Sequence, residues 1–162
     1  MKSDFSLREL MEECIGKQNI PADKDVKIEI VGNNDLKIKA DRMHISNIVC
    51  NLLENGIKYS RESVTIRIDY QQRTDELLQI SIADNGIGIA RADQRYVFDK
   101  FYRSETAKDK AIPGIGLGLS YVKLLVEAHG GTITFESTEG EGTTFTILIP
   151  QTDGEDQDIT RG

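Results

Sequence analysis

The 162-residue sequence predicts a two-layer α/β sandwich, with a mixed, largely antiparallel sheet covered on one face by helices. Three observations carry that expectation. Short alternating apolar segments arrive in neighbouring pairs joined by polar turn residues. Amphipathic helical segments are interspersed between the pairs rather than placed between successive parallel strands. One long stretch, residues 89–116, breaks the pattern with only weak periodicity, as a functional lid often does.

The elements follow in order. Leu7, Leu10, Met11, Cys14 and Ile15 share one helical face, and Ser6 with Glu9 has the spacing of a capping box. Residues 26–31 alternate strictly and predict a strand, turned by Gly32-Asn33-Asn34-Asp35 into a second strand at 36–39. Asp41 is placed to cap a long helix reaching about Tyr59, its apolar face built from Ile45, Ile48, Val49, Leu52, Leu53 and Ile57. Residues 64–70 and 77–83 predict a hairpin. Residues 117–129 are helical again and end at Gly130-Gly131, a C-cap signal. Residues 132–137 and 143–149 close the domain as a hairpin across Glu139-Gly140-Glu141-Gly142. One domain is expected over residues 1–150, with a polar, frayed tail at 151–162.

Composition narrows the function. An apolar fraction of 38% and a charged fraction of 29% are ordinary for a globular domain. A net charge of −7 argues against nucleic acid as a main partner. No window approaches the roughly 18 uninterrupted apolar residues of a membrane span, so no membrane contact is expected within this segment, although a parent protein with other segments is compatible with an anchor. Cys14, Cys50, His44 and His129 lack metal-ligand spacing, and the cysteines read as small buried residues of a reducing cytosol.

Three clusters carry chemistry. Asn51, Asn55 and Lys58 fall on one helical face at i, i+4 and i+7. Carboxamides are neutral oxygen donors suited to Mg²⁺, and Lys58 offers a point charge to a phosphate; alone, the pattern also suits a solvated helix face. Asp84-Asn85-Gly86-Ile87-Gly88-Ile89 follows a strand, which puts a carboxylate at a pocket floor where an exocyclic amine is a natural donor; alone, it also suits a bare turn. Gly114, Gly116 and Gly118 lead into a helix, where glycines admit a phosphate to free backbone N–H groups. These glycines follow the long stretch rather than a strand, which disfavours a dinucleotide-binding fold, and no P-loop pattern is present. Between the last two clusters, Phe98, Phe101, Tyr102 and Arg103 read either as a lid whose aromatics fold back to position Arg103, or as a short surface helix.

In this order and spacing the clusters resemble the N, G1, F and G2 boxes of the histidine-kinase catalytic domain. Gly140, Gly142, Thr143 and Phe145 resemble that family's final glycine motif, and the likeness spans roughly residues 4–150. The resemblance implies the Bergerat ATP-binding fold with an ATP lid. It implies that Asp84 binds the adenine amine with Thr143 helping through water, that Gly86 and Gly88 shape the pocket, and that Ile89 packs near the base. It further implies that Asn55 ligates Mg²⁺ with Asn51 close by, and that Lys58, Tyr59 and Arg103 contact ATP or its phosphates. Gly114, Gly116, Leu117, Gly118 and Leu119 would border the phosphates, most of them offering backbone N–H groups.

The implied activity is transfer of the γ-phosphate of ATP to a histidine on a separate phosphoacceptor domain, with a response regulator downstream. The implied location is the cytoplasmic portion of a membrane-anchored bacterial sensor. Asn51 stands where related ATPases carry a glutamate base, which favours phosphoryl transfer over hydrolysis. No acceptor-histidine motif accompanies His44 or His129, so self-phosphorylation at histidine is not expected of this segment alone. Gly56 replaces the family's usual alanine, a change worth up to about 1 kcal/mol of helix stability, and binding is expected to survive it. The alternatives on the same fold are an anti-sigma-type serine kinase and a catalytically inactive nucleotide-dependent binding module.

Overall fold

A computed structural model of the chain describes residues 1–74, 76–100 and 118–151. Its centre is a five-stranded sheet made of β2 (Asp25–Val31), β4 (Ser63–Gln72), β5 (Leu77–Asp84), β6 (Thr132–Thr138) and β7 (Gly142–Pro150). The strand order is β2-β4-β5-β7-β6, and only the β2–β4 pair is parallel. The expected mixed, largely antiparallel sandwich is what the chain forms.

Alternation decides which face is covered. Val64, Ile66, Ile68 and Tyr70 of β4 are buried, as are Leu78, Ile80 and Ile82 of β5 and Phe145, Ile147 and Ile149 of β7. Register aligns them in rows across the sheet: Tyr70–Ile80–Ile147, then Ile68–Ile82–Phe145. The intervening phase carries Arg67, Asp69, Gln79, Ser81 and Thr146, none of them buried.

Helices α1 (Leu7–Gly16), α2 (Arg42–Lys58) and α3 (Gly118–Ala128) cover the apolar face. Central α2 packs on α1, α3, β4 and β5, burying Ile45, Ile48, Val49, Leu52, Leu53, Gly56 and Ile57. Its start is fixed by Asp41, which accepts from the His44 N–H at 3.2 Å, as Ser6 does for α1 from Glu9 at 3.2 Å. The end of α3 is a Schellman turn. Gly131 N–H reaches the Val126 carbonyl and Gly130 N–H that of Glu127, both at 3.0 Å, with Gly130 at φ +75°.

The N-terminal third departs from expectation. Residues 26–31 and 36–39 do not form a hairpin: β3 (Lys37–Asp41) leaves the main sheet and pairs antiparallel with β1 (Lys2–Ser6). The chain leaves β2 through Gly32, where a Cβ would collide with the Tyr70 ring. The chain crosses over that ring, Tyr70 Oη donating to the Asn33 carbonyl at 2.9 Å, and turns out of the sheet plane. Strand β2 pairs with β4 running parallel, with α2 in the crossover that a parallel pair needs.

Candidate functional site

The site forms where the C-terminal half of α2 overlies the ends of β5 and β7. Asp84 belongs to the apolar phase of its strand, and register sets it between Ile66 of β4 and Thr143 of β7. Its carboxylate therefore points under α2 rather than to the open face. Gly56 lies directly above it: a Cβ there would stand 3.5 Å from Asp84 Oδ2, an ordinary contact, and 3.1 Å from Ile66 Cδ1. Burial pushes the Asp84 pKa above the usual carboxylate value, and backbone N–H groups of Gly86 and Thr143 oppose that shift. The Gly86 bond is 2.8 Å long. A half-buried carboxylate held this way retains acceptor capacity for a donor entering the pocket.

The segment after Asp84 is sewn to its surroundings by backbone contacts that exclude side chains. Ile87 N–H donates to the Tyr59 carbonyl at 3.1 Å, and Gly86 lies so close to that carbonyl that a Cβ would collide with it. Gly88 has φ +72° and passes against the Thr138 carbonyl. Tyr59 packs on buried Ile87. These contacts fix the course of residues 86–89 beside Tyr59 and β6.

Thr143 is 7% exposed, and its hydroxyl lies 2.8 Å from Ser137 Oγ. Ser137 also accepts from the Ile89 N–H at 2.8 Å and donates to the Gly142 carbonyl at 3.0 Å. Sequence reasoning passed over Ser137. The signal was present, because in β6 it shares the phase of Ile133 and Phe135, and a hydroxyl in an inward phase needs partners. Gln94, from the 3₁₀ helix Arg91–Tyr96, was also missed; its Nε2 donates to the carbonyls of Ile89 and Ser137, both at 3.1 Å.

On α2, Asn51, Asn55 and Lys58 lie together and half-buried. Asn51 Nδ2 is committed to the Asn47 carbonyl at 2.7 Å, and its Oδ1 would lie 3.7 Å from a Cβ on Gly118. The start of α3 is thereby brought beside α2. Among the described residues, the Asn55 carboxamide and the Lys58 ammonium have no hydrogen-bond or ion-pair partner. Glu54 is exposed and lines a groove along α2 together with Asn47, Cys50, Asn51 and Lys58.

Leu119 packs against the core and Gly118 is exposed. Arg103, Gly114, Gly116 and Leu117, with Phe101 and Tyr102, lie outside the described residues. Phe98 does fold back, with ring centroids 5.8 Å from Phe135 and 6.3 Å from Phe145. His44 and His129 stack edge-on at 5.2 Å, away from this site, and His129 Nδ1 lies 2.8 Å from the Leu125 carbonyl oxygen.

Nucleotide chemistry fits these groups. A half-buried carboxylate suits an exocyclic amine, glycines let backbone approach a ligand, and an uncommitted carboxamide suits a hydrated cation. Among the described residues, no three His, Cys, Asp or Glu side chains gather as a metal-binding group. A cation here would therefore take most of its ligands from phosphate and water.

Comparison with known proteins agrees. The family model described as histidine kinase-, DNA gyrase B- and HSP90-like ATPase matches residues 40–153. The chain is 40% identical over 140 residues to sensor histidine kinase WalK of Bacillus subtilis (strain 168), covering 83% of this chain and 23% of that protein. It is 44% identical over 115 residues to sensor protein RprX of Bacteroides fragilis, covering 70% and 22%. The chain thus spans under a quarter of either relative. Among solved structures, mycobacterial sensor histidine kinase MprB superposes with a TM-score of 0.78 at 25% identity, covering 91% of this chain and 97% of that one. The catalytic domain of histidine kinase ThkA gives 0.77 at 27% identity, covering 94% and 99%. The chain belongs to the histidine kinase-, DNA gyrase B- and HSP90-like ATPases, and within them to the ATP-binding catalytic domains of two-component sensor histidine kinases.

Proposed function

We propose that this domain binds MgATP and presents the γ-phosphate to a histidine on a separate dimerisation and phosphoacceptor domain, from which a response regulator is served. The observation that carries the reading is Asp84, a carboxylate set beneath α2 between Ile66 and Thr143 and held by the Gly86 N–H at 2.8 Å. In that position it accepts from the adenine amine, while Thr143, oriented by Ser137, contributes through water. Gly86 and Gly88 keep the pocket floor low, and Ile89 packs near the base.

Bound MgATP supplies the transferable phosphoryl group. Asn55 offers its carboxamide oxygen to the metal, with Asn51 close by. Lys58, Tyr59 and Arg103 face the nucleotide or its phosphates, and backbone N–H groups across Gly114, Gly116, Leu117, Gly118 and Leu119 neutralise phosphate charge. Asn51 is no base, and Glu54 is offset from Asn55 by about 100° around the helix, which supports retention of ATP for transfer rather than hydrolysis. No helix among the described residues is long and apolar enough to cross a membrane; we place the domain on the cytoplasmic side of a larger, membrane-anchored sensor.

Two measurements test this reading. Calorimetric titration of MgATP should show saturable one-to-one binding that Asp84→Asn weakens severely. Labelled ATP, with a supplied histidine-bearing domain, should then yield acid-labile phosphate on that domain. Acid-stable phosphate would point to a serine kinase instead. Absence of nucleotide binding by the folded chain would leave only an inactive binding module.

A further inference from the structure

The packing of α1 on α2 brings together two cysteines distant in sequence. Cys14 is fully buried, and its Sγ lies 3.6 Å from both the carbonyl and the hydroxyl oxygen of Ser46. Ser46 Oγ is in turn 3.8 Å from Cys50 Sγ. The Ser46 hydroxyl thus lies within reach of both sulfurs. Gln18 ties their backbones, its Nε2 donating to the carbonyls of Cys14 and Cys50 at 3.3 Å each. With both sulfurs gathered at one hydroxyl, side-chain rotation toward each other is the movement that closes the roughly 2.05 Å of an S–S bond.

The two sulfurs differ in access and acidity. Cys50 is half-buried and lines a groove of about 680 Å³ between α2 and the segment joining α1 to β2, bordered by Lys17, Lys24 and Lys58. The hydrogen bond from Cys14 pulls the Cys50 thiol below its ordinary pKa; Ser46 and Lys17 add to this, and burial and Glu13 oppose it. The same bond, and burial after it, push Cys14 up. A thiolate at the floor of a groove, with a protonated thiol behind it, is the arrangement of an attacking and a resolving cysteine.

We propose that Cys50 and Cys14 form a peroxide-reactive pair that closes an intramolecular disulfide between α2 and α1. The Cys50 thiolate attacks one oxygen of hydrogen peroxide. An S–O bond forms, the O–O bond breaks, and the departing hydroxide takes a proton from water or Lys17. The Cys14 sulfur then attacks the Cys50 sulfenic sulfur. An S–S bond forms, the S–O bond breaks, and hydroxide leaves as water with the Cys14 proton. Two thiols and one peroxide give one disulfide and two waters, a two-electron exchange that thiol reductants reverse. Because Cys50 adjoins Asn51, the tether reaches the helix that carries Asn55 and Lys58. Any effect on nucleotide affinity rests on the ATP-binding reading; formation of the bond does not.

The test is denaturing intact-mass analysis of the whole chain after mild hydrogen peroxide, with alkylation of remaining thiols. The expected result is a mass loss of about 2 Da, no alkylation, a crosslinked Cys14–Cys50 peptide, and full reversal by dithiothreitol. In Cys14→Ser, a dimedone adduct on Cys50 should replace the crosslink. The wild-type mass decides the matter even if that variant folds poorly. Two alkylatable thiols after treatment, sulfinic acid without crosslink, or disulfides only between chains would each overturn the proposal.

Discussion

Gly56 and Asp84 face each other across the boundary between helix and sheet: a Cβ on Gly56 would stand 3.5 Å from Asp84 Oδ2. That separation admits one methyl group at ordinary contact distance. The glycine therefore marks the room left above the carboxylate, and the space is tightest against Ile66 Cδ1, at 3.1 Å.

Gly56→Ala should accordingly raise stability, by up to about 1 kcal/mol from helix propensity, less the small shift asked of Ile66. MgATP affinity should stay within about threefold, a change worth under 1 kcal/mol. Gly56→Val should do the opposite on both counts, since its branches add bulk between Ile66 and Asp84. Denaturant midpoints and calorimetry on the pair decide; a valine variant that binds normally would refute the close approach.

Asp84→Asn should separate stability from binding. The folded-state pKa of Asp84 is raised by burial, so the folded chain holds that proton more tightly than the unfolded one does. Its contribution is most favourable below the ordinary carboxylate pKa and is lost as pH rises through the folded value. Asparagine keeps an oxygen for the Gly86 N–H without the buried charge, so the variant should melt higher than wild type at pH 7, with the gap closing at pH 4. Affinity for MgATP should fall by roughly 30-fold or more, the scale of one hydrogen bond to a charged group. A melting difference that is the same at both pH values would contradict the assigned cause.

Ser137→Ala should weaken both fold and site. It strands the Ile89 N–H and removes the partner 2.8 Å from Thr143. A loss of about 1–3 kcal/mol is expected from the unsatisfied groups, with weaker nucleotide binding. Urea unfolding together with a titration would show it; unchanged stability would mean that solvent replaces the hydroxyl without cost.

Lys24 closes the end of α2. Its Nζ donates to the carbonyls of Ile57 at 2.6 Å and Ser60 at 3.1 Å, and to the Ser60 hydroxyl at 3.0 Å. Lys24→Met should cost about 1–2 kcal/mol, combining lost charge-assisted bonds with a lost cation at a helix C-terminus. Amide exchange should accelerate first across residues 55–59, the last turn that holds Asn55 and Lys58. Exchange rising evenly over the whole chain would argue for a general rather than local role.

Much of this architecture was legible because it is local. Ser6 and Asp41 announce helix starts through side-chain oxygens, Gly130 announces a stop through its φ, and alternation in β4, β5 and β7 fixes the inward phase. The glycines around Asp84 were legible for the same reason. What escaped notice depends on partners far away in sequence. Strand β1 buries only Phe5 and exists because β3 needs a mate. The turn at Gly32 runs against the ring of Tyr70, a partner far away in sequence. Neither Lys24 nor the meeting of Cys14 with Cys50 leaves a trace in spacing, since each contact spans two elements.

The row Ile66–Asp84–Thr143 has a final consequence. It is the last rung of a ladder whose neighbouring rungs, Ile68–Ile82–Phe145 and Tyr70–Ile80–Ile147, are buried. A slip of one residue along β5 would swing Asp84 to the opposite face together with every isoleucine of that strand. The placement of the Asp84 carboxylate and the apolar ladder are therefore set by a single alignment and stand or fall together. Any molecule that engages Asp84 from the α2 side is a gauge of strand alignment, and by mass action it draws misaligned chains back into line.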